Sequence, residues 1–538
     1  MTGPRATFVV TGQVVVAARP DRVVTAEAIG LAEDRVVSVG ERREVLEAAA
    51  PGARVVDAGA SAVIPGIHDF HLHLTGMARR RREVDLTDAV DVAGIAARIH
   101  AAVGRQPGAG WLIGGRWEEG ALGGDLSPLE AAAGDRPVLL TAHDGHSAWA
   151  SAAARRAAGI DERAEAIPGG RLERDPSGAL SGVVRERAML PLLHAADRLE
   201  GEALAEAIAE TVDELLAWGV TGATDAGDYD ADRGIGPFAA LGESFSRAWE
   251  ARDRIDGRLR LTMDIPAAAL AAATELGLVT GAALEARTLR MGWAKLYADG
   301  TLGSGTAALF APRSCDGAAD DDLGILRLDP AELDAILATG RAAGIGIAAH
   351  AIGDRAAATV LEAIARAAPR ASGVPPDRLE HAQLVRPLER PRFGELDVTA
   401  SVQPIHLVSD RETAERCWQG RLAHAYAYRS LADAGARLAL GTDAPIESAN
   451  PWLNLLAAVR RDGWRTDECL SLPAALRAAT LGPAMGMGRA DEGHLAIGAR
   501  ADLAVLSCDL PALLAAGEGL AGVRAVLTVV DGREVHRS

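Results

Sequence analysis

The stretch Ile64-Pro65-Gly66-Ile67-His68-Asp69-Phe70-His71-Leu72-His73 ends an apolar run with two histidines two positions apart. On an extended strand, residues i and i+2 face the same side, so the imidazoles of His71 and His73 can reach one ion. Pro65 and Gly66 break the run that leads into them. Taken alone, the pair also fits two surface histidines, so its meaning depends on the rest of the chain.

Outward from this stretch, β-like and helical segments alternate, which favours a parallel sheet with crossover helices. Eight candidate strands are Ala62–Ile67, Pro137–Thr141, Gly219–Thr224, Leu289–Leu296, Gly344–Ala349, Arg378–Leu379, Asp397–Val402 and Arg437–Leu440. Polar or ionisable residues come after each in turn: His71 and His73, His143 and His146, Asp225, Lys295, His350, His381, Gln403, Asp443. In a (β/α)8 TIM barrel such positions meet at the C-terminal face, where active sites sit. Core packing gives no reason for that order.

The two ends of the chain look alike. Residues 1–60 and 491–538 are rich in short β-like runs, and together they read as one small β-sandwich. The barrel then spans residues 61–490, with an insertion near 150–200 that carries two turn signals, Pro168-Gly169-Gly170 and Arg174 to Gly178. That insertion reads as a hairpin covering the barrel mouth or as a plain surface insertion.

Composition excludes several classes. The chain has 538 residues, 49% of them hydrophobic, and a formal net charge of −18, which argues against nucleic acid or anionic membrane as partner. The run Phe8–Ala18 is broken by Thr11, Gly12 and Gln13 and lacks a basic start, so no signal peptide is read there. The four cysteines lie far apart without a CxxC pair and read as reduced thiols in a cytoplasmic protein. The expected partners are a small-molecule substrate and a second copy of the chain in a homodimer, with no nucleic acid and no membrane.

Lys295 is the only lysine in a chain with 56 basic Lys and Arg residues. Where any cation would serve, the chain uses arginine. A single retained lysine therefore points to chemistry that needs an amine able to lose its proton; chance survival is the other reading. Four histidines and an aspartate suit zinc or another borderline divalent metal.

Several ordered motifs carry a resemblance: Pro65–His73, Lys295–Leu309 (KLYADGTLGSGTAAL), His350–Arg355 (HAIGDR), Glu380–Leu384 (EHAQL), Ser401–His406 (SVQPIH), Gly441–Glu447 (GTDAPIE) and Gly493–Leu506. With these, the chain resembles the amidohydrolase superfamily, in particular amidohydrolase family 3 and its branch similar to N-substituted formamide deformylases. The resemblance implies that His71 and His73 bind the more buried metal. It implies that Lys295, as a carbamate, bridges two metals, and that His350 and His381 bind the second. Asp443 would bind the first metal and take the proton from the attacking water, making it the catalytic residue. The cofactor implied is one or two divalent ions, expected to be zinc, together with carbamylated Lys295. This chain departs from the family at Gly305, where Arg is common, and at Ala150 or Ser151, where Asn is common.

Trp117, His143, His146 and Gln403 are candidate substrate-binding residues; packing or a satisfied hydrogen bond is the alternative for each. Trp111, Trp117 and Trp149 either line an apolar pocket or pack the fold. Glu186 lies in a stretch resembling a family motif. The expected function is hydrolysis of an amide, formamide or cyclic amide C–N bond. The alternatives are a deaminase or esterase on the same barrel, or a non-catalytic metal-binding protein. Deamination is disfavoured because His350 is followed by Ala351-Ile352-Gly353, without the HxxE of that class.

Overall fold

The computed structural model of the chain describes residues 4–105, 110–117, 119–142, 147–161, 164, 170–196, 199–227, 234–303, 305–315 and 321–538. It divides into two compact units, one of residues 1–77 with 208–538 and one of Ala78–Ala207.

In the first unit the chain begins with β1 (Phe8–Ala18), β2 (Val23–Ala32), β3 (Arg35–Gly40) and β4 (Arg54–Pro65). The barrel opens with β5 (Ile67–Leu72). In the second unit, β6 (Val84–Asp85), β7 (Leu112–Trp117), β8 (Val138–Ala142), β9 (Ser147–Ala150), β10 (Gly170–Arg174) and β11 (Leu180–Glu186) form one six-stranded sheet. The barrel resumes with β12 (Val220–Asp225), β13 (Arg260–Pro266), β14 (Leu289–Tyr297), β15 (Ile347–Ala351), β16 (Arg378–His381), β17 (Thr399–Val402) and β18 (Arg437–Leu440). The chain ends with β19 (Leu503–Asp509), β20 (Ala525–Val530) and β21 (Arg533–Arg537).

The eight barrel strands lie in the order β5-β12-β13-β14-β15-β16-β17-β18, with every pairing parallel. Two backbone bonds join the chain beyond β18 to the end of β5 and the residue after it: Asp443 N–H donates to His71 O at 2.7 Å, and His73 N–H to Ala444 O at 2.7 Å. The strands are buried on both faces, as expected where helices cover the outside and side chains fill the inside. The connecting helices carry clear end signals. In Pro330–Ala343, Asp329 caps the N-terminus in a capping box with Glu332, and Gly344 ends it at φ +71°, where a side chain would be strained.

The two ends of the chain do share one sheet, ordered β21-β20-β19-β4-β1-β2-β3. One cluster joins apolar residues of β1, β2, β3, β4, β19 and β20, including Phe8, Ile29, Val36, Val63, Val505 and Leu527. A second cluster joins Val9 of β1 and Ala28 of β2 to Ala6 and Val45.

Two expectations about strands need correction. Pro137–Thr141 is not a barrel strand. It corresponds to β8, which pairs in parallel with β7 and antiparallel with β9. The missing barrel strand is β13, whose Arg260, Thr262 and Asp264 interrupt the apolar pattern and yet are all buried. In addition, Ala62–Pro65 completes β4, and the barrel begins at Ile67. The hairpin expected at 150–200 exists as β10 and β11, antiparallel to each other, but it is one part of the larger unit Ala78–Ala207.

The cysteine expectation is also corrected. Cys315 and Cys417 form a disulfide, while Cys469 and Cys508 remain free. Distance along the sequence concealed the pair, because the segment after β14 folds back against the end of the helix His406–Cys417. There Ser314 N–H donates to Cys417 O at 2.9 Å. Among the described residues, no helix is long and apolar enough to cross a membrane.

Candidate metal centre

β5 delivers its histidines through a braced turn. The Asp69 carboxylate is buried and accepts from His71 N–H at 3.2 Å, Thr442 N–H at 3.0 Å and Thr442 Oγ1 at 2.6 Å. Burial pushes this carboxyl up to about 7, against the pull of those three bonds. The bonds tie the end of β5 to the segment after β18. Gly441 makes that approach possible, because a Cβ there would lie 2.4 Å from His71 N.

Each ring then has one nitrogen engaged. His71 Nδ1 lies 2.5 Å from Glu380 Oε2, and its Nε2 lies 3.4 Å from Asp443 Oδ1. His73 Nδ1 pairs with Gly227 O at 3.2 Å, and its Nε2 lies 3.2 Å from the same Asp443 Oδ1. The other oxygen, Oδ2, is 3.0 Å from His406 Nε2, whose Nδ1 lies 3.5 Å from Glu447 Oε1. Asp443 is thus the hub, with backbone φ of +60°, followed by a cis Ala444–Pro445 bond.

The opposite wall is formed by β14, β15 and β16. Lys295 shares a face of β14 with Trp293 and Tyr297. It is only 2% exposed, and its Nζ stands 5.2 Å from the Tyr297 ring centre. His350 Nε2 pairs with Gly300 O at 3.0 Å. The loop carrying Gly300 is pinned by Asp299, which accepts from Ala308, Ile352 and Gly353 N–H at 2.8–3.0 Å. The His381 ring lies 4.6 Å from that of His350, 5.0 Å from His71 and 6.0 Å from His406. Its Nδ1 is buried and has no hydrogen-bond partner among the described residues.

Burial dominates the electrostatics. Desolvation, with the Lys295 charge second, pushes His71 down to about 4 and His350 down to about 3. His381 falls well below its ordinary value through burial and the neighbouring His350. Burial also lowers the Lys295 amine, which favours the neutral form. Asp443 goes the other way. Burial opposes its charge, but His71, His406 and His73 outweigh burial and hold it well below the carboxylate range. His73 and His406 behave differently from the other rings: burial opposes their charge, but the Asp443 carboxylate, joined at His406 by Glu447, outweighs it, raising His73 and pushing His406 up to about 10. The neutral imidazoles of His71, His350 and His381 beside an ionised Asp443 are in the state in which such groups bind a cation.

Two groups of donor atoms lie within 4.8 Å of one another: His71, His73 and Asp443, and His381, His406 and Asp443. Asp443 belongs to both. Nitrogen and carboxylate donors of this kind suit zinc and its neighbours. His381 Nδ1 adds a buried donor without a partner among the described residues. The residues present therefore fit a divalent metal.

The structure brings His71, His73, Lys295, His350, His381 and Asp443 to one end of the barrel. Gln403 comes after β17, buried, its amide donating to Ser401 O at 3.2 Å. Trp117 belongs to the core of the Ala78–Ala207 unit, 1% exposed, with its indole donating to Leu140 O at 3.0 Å; this is the packing alternative. Ala150 is buried in β9, and Ser151 caps a helix by accepting from Ala154 N–H. His143 and His146 lie outside the described residues, as does the Glu186 side chain. At Gly305, φ is +69°, where a side chain would be strained, while the Arg313 guanidinium that a Cβ would meet at 2.3 Å is the movable end of its side chain.

The residues missed are Glu380, Arg378 and His406. Glu380 and His406 sit inside the EHAQL and SVQPIH motifs, and that position was the only signal for them.

A parallel eight-stranded barrel whose strand ends gather histidines around one buried aspartate defines a hydrolase of the metal-dependent kind. The chain belongs to the amidohydrolase family, whose sequence profile matches residues 54–536. It is 28% identical over 505 residues to the protein LONG AFTER FAR-RED 3 of Arabidopsis thaliana, covering 90% of this chain and 84% of that one. It is 26% identical over 535 residues to an N-substituted formamide deformylase of Arthrobacter pascens, covering 94% of each. Among solved structures, an uncharacterized metal-dependent hydrolase from Pyrococcus furiosus superposes with a TM-score of 0.75 at 26% identity, covering 94% of this chain and 99% of that one.

Proposed function

We propose that the protein hydrolyses a carbon–nitrogen bond in a small neutral amide, formamide or cyclic amide, using zinc held by His71, His73, His350, His381 and Asp443 with carbamylated Lys295. The observation that carries this reading is the convergence of the His71, His73 and His406 Nε2 atoms on the two oxygens of Asp443. When bound, a divalent ion supplies Lewis acidity that acidifies a water and polarises a carbonyl. Asp443 takes the proton from the attacking water, because it is the carboxylate on which the histidines converge and both its oxygens lie among them. His406 orients that carboxylate through Oδ2. The buried Lys295 amine, favoured in its neutral form, is able to add carbon dioxide.

The C–N preference is supported by the likeness to the Arthrobacter pascens deformylase. The apolar N-substituent expected from the tryptophans gains no support from Trp117, since that indole belongs to the packed core of its own unit.

The test is metal analysis followed by a panel of N-substituted formamides, acyl amino acids, lactams and esters on metal-replete protein. Turnover is expected on neutral amides with an apolar N-substituent. Activity confined to esters, to ammonia release or to highly charged substrates would overturn the reading. Lys295→Arg is expected to lower both metal content and activity, with partial rescue of Lys295→Ala by short carboxylic acids; full activity in Lys295→Arg rules out the carbamate.

A further inference from the structure

Beneath the histidines lies a charged pair that the reaction itself does not use. Arg378 and Glu380 stand two residues apart on β16 and so share its inward face. Both are 0% exposed. Burying two charges in a barrel core is costly, and packing alone would be served as well by apolar side chains of the same volume.

The Arg378 guanidinium is held by hydrogen bonding through Nη2, two ring faces and two carboxylates at ion-pair distance, while its Nε and Nη1 make no hydrogen bond among the described residues. It lies 4.0 Å from the Phe70 ring centre and 4.7 Å from that of Trp293, an arrangement in which both rings attract it. It donates to Phe70 O at 2.6 Å, lies 3.7 Å from Asp264 Oδ2, and its Nε is 2.7 Å from Glu380 Oε1. Asp264 is itself held by Trp293 N–H at 2.8 Å. Glycine is required at 292 to admit it, since a Cβ there would come within 2.1 Å of Asp264 Oδ1.

The other oxygen of Glu380 meets His71 Nδ1 at 2.5 Å. β16 therefore grips β5 twice: Arg378 takes the carbonyl of Phe70, and Glu380 takes the ring of the next residue. A carboxylate at Nδ1 draws the N–H to that side and leaves the Nε2 lone pair facing Asp443. His73 has only a neutral carbonyl at Nδ1, and His381 Nδ1 has no partner among the described residues. His71 alone of the three has a carboxylate there.

We propose that Glu380, clamped by Arg378, is a positioning residue that presents His71 Nε2 to the metal and sets how tightly the ion of the His71, His73 and Asp443 group is held. The proposal rests on the metal-dependent reading above.

The test measures metal affinity by chelator competition with zinc, together with the absorption spectrum of the cobalt-substituted protein. The variants are Glu380→Gln, which keeps shape and removes charge, and the double variant Arg378→Met, Glu380→Gln, which removes both charges should the lone guanidinium unfold the single variant. Affinity is expected to fall about 10- to 100-fold in each, as for lost outer partners of ligating histidines, with a shifted cobalt spectrum. The metal-free unfolding midpoint of the double variant should fall as well, because Phe70 O and Asp264 lose their partner, so the weaker metal binding must also appear in Glu380→Gln. A purely structural role would move that midpoint and leave affinity and spectrum alone. Affinity within about 2-fold of the parent in either folded variant, beside a parent that binds zinc, overturns this proposal only. A parent that binds neither zinc nor cobalt overturns the metal reading and this proposal together.

Discussion

The barrel strands are almost wholly buried, whereas the six-stranded sheet of the Ala78–Ala207 unit is buried at its centre and exposed at its edge strands β6 and β10, and the two treat their polar residues differently. In the barrel all eight strands run the same way, so residues at the ends of different strands arrive on one side and meet around Asp443. In the other sheet β6, β7 and β8 are parallel, but β9, β10 and β11 alternate in direction. Its strand ends point both ways, and a polar group such as the Trp117 indole is satisfied where it stands. Strand direction decides whether polar residues scattered along a chain become one site.

The largest effect that would break this contrast lies at the hub. Asp443→Asn should lower kcat by at least about 100-fold on the best substrate, as expected when a proton-transfer group is lost. Near-normal turnover would mean that the convergence on Asp443 is structural.

A smaller effect is expected on the other side of the contrast. Trp117→Phe removes the bond to Leu140 O and some packing, and should cost about 1–2 kcal/mol of unfolding free energy while leaving KM nearly unchanged. A KM raised tenfold in protein of parental stability would return Trp117 to the substrate.

The smallest effect concerns a histidine in the barrel that does not join the hub. His68 Nε2 meets Thr224 Oγ1 at 3.1 Å, and burial, aided by the Arg378, Arg489 and Arg260 charges, pushes its pKa down to about 3. Between pH 6.5 and 3 the unfolded chain binds a proton that the folded chain does not. Stability from this group is therefore full above pH 6.5 and is lost as pH falls, by at most about 1.4 kcal/mol per unit. Urea titrations between pH 7 and 5 should show a shallower slope in His68→Gln than in the parent. Equal slopes would show that His68 does not stay neutral in the fold.

Motif order made the barrel legible, along with the gathering of His71, His73, Lys295, His350, His381 and Asp443 at one end of it, because each lies at or near the end of a strand. What stayed hidden was pairing. Pro137–Thr141 has the apolar run of a barrel strand, and nothing within it states that its neighbour β9 is antiparallel. β13 failed the pattern because Arg260 is paired with Asp502 and Asp531 from the far end of the chain, so a buried charge looked like an exposed one. Glu380 was passed over for a similar reason. A carboxylate beside a histidine in sequence gives no sign that it serves a different histidine, 309 positions away.

The sheet built from both ends of the chain has a consequence for how the protein is made. β4 pairs on one side with β1 and on the other with β19, and Gln13 caps Leu510 across 497 positions. On a ribosome, that edge of β4 emerges first and must stay open until almost the whole polypeptide has been translated. At roughly 5–20 residues per second the wait is on the order of tens of seconds to a minute or more. Over that interval an unpaired strand edge is available to any other nascent chain. Fragments that stop before β19 should therefore collect in the insoluble fraction, and the full-length chain should depend on chaperones that shield that edge.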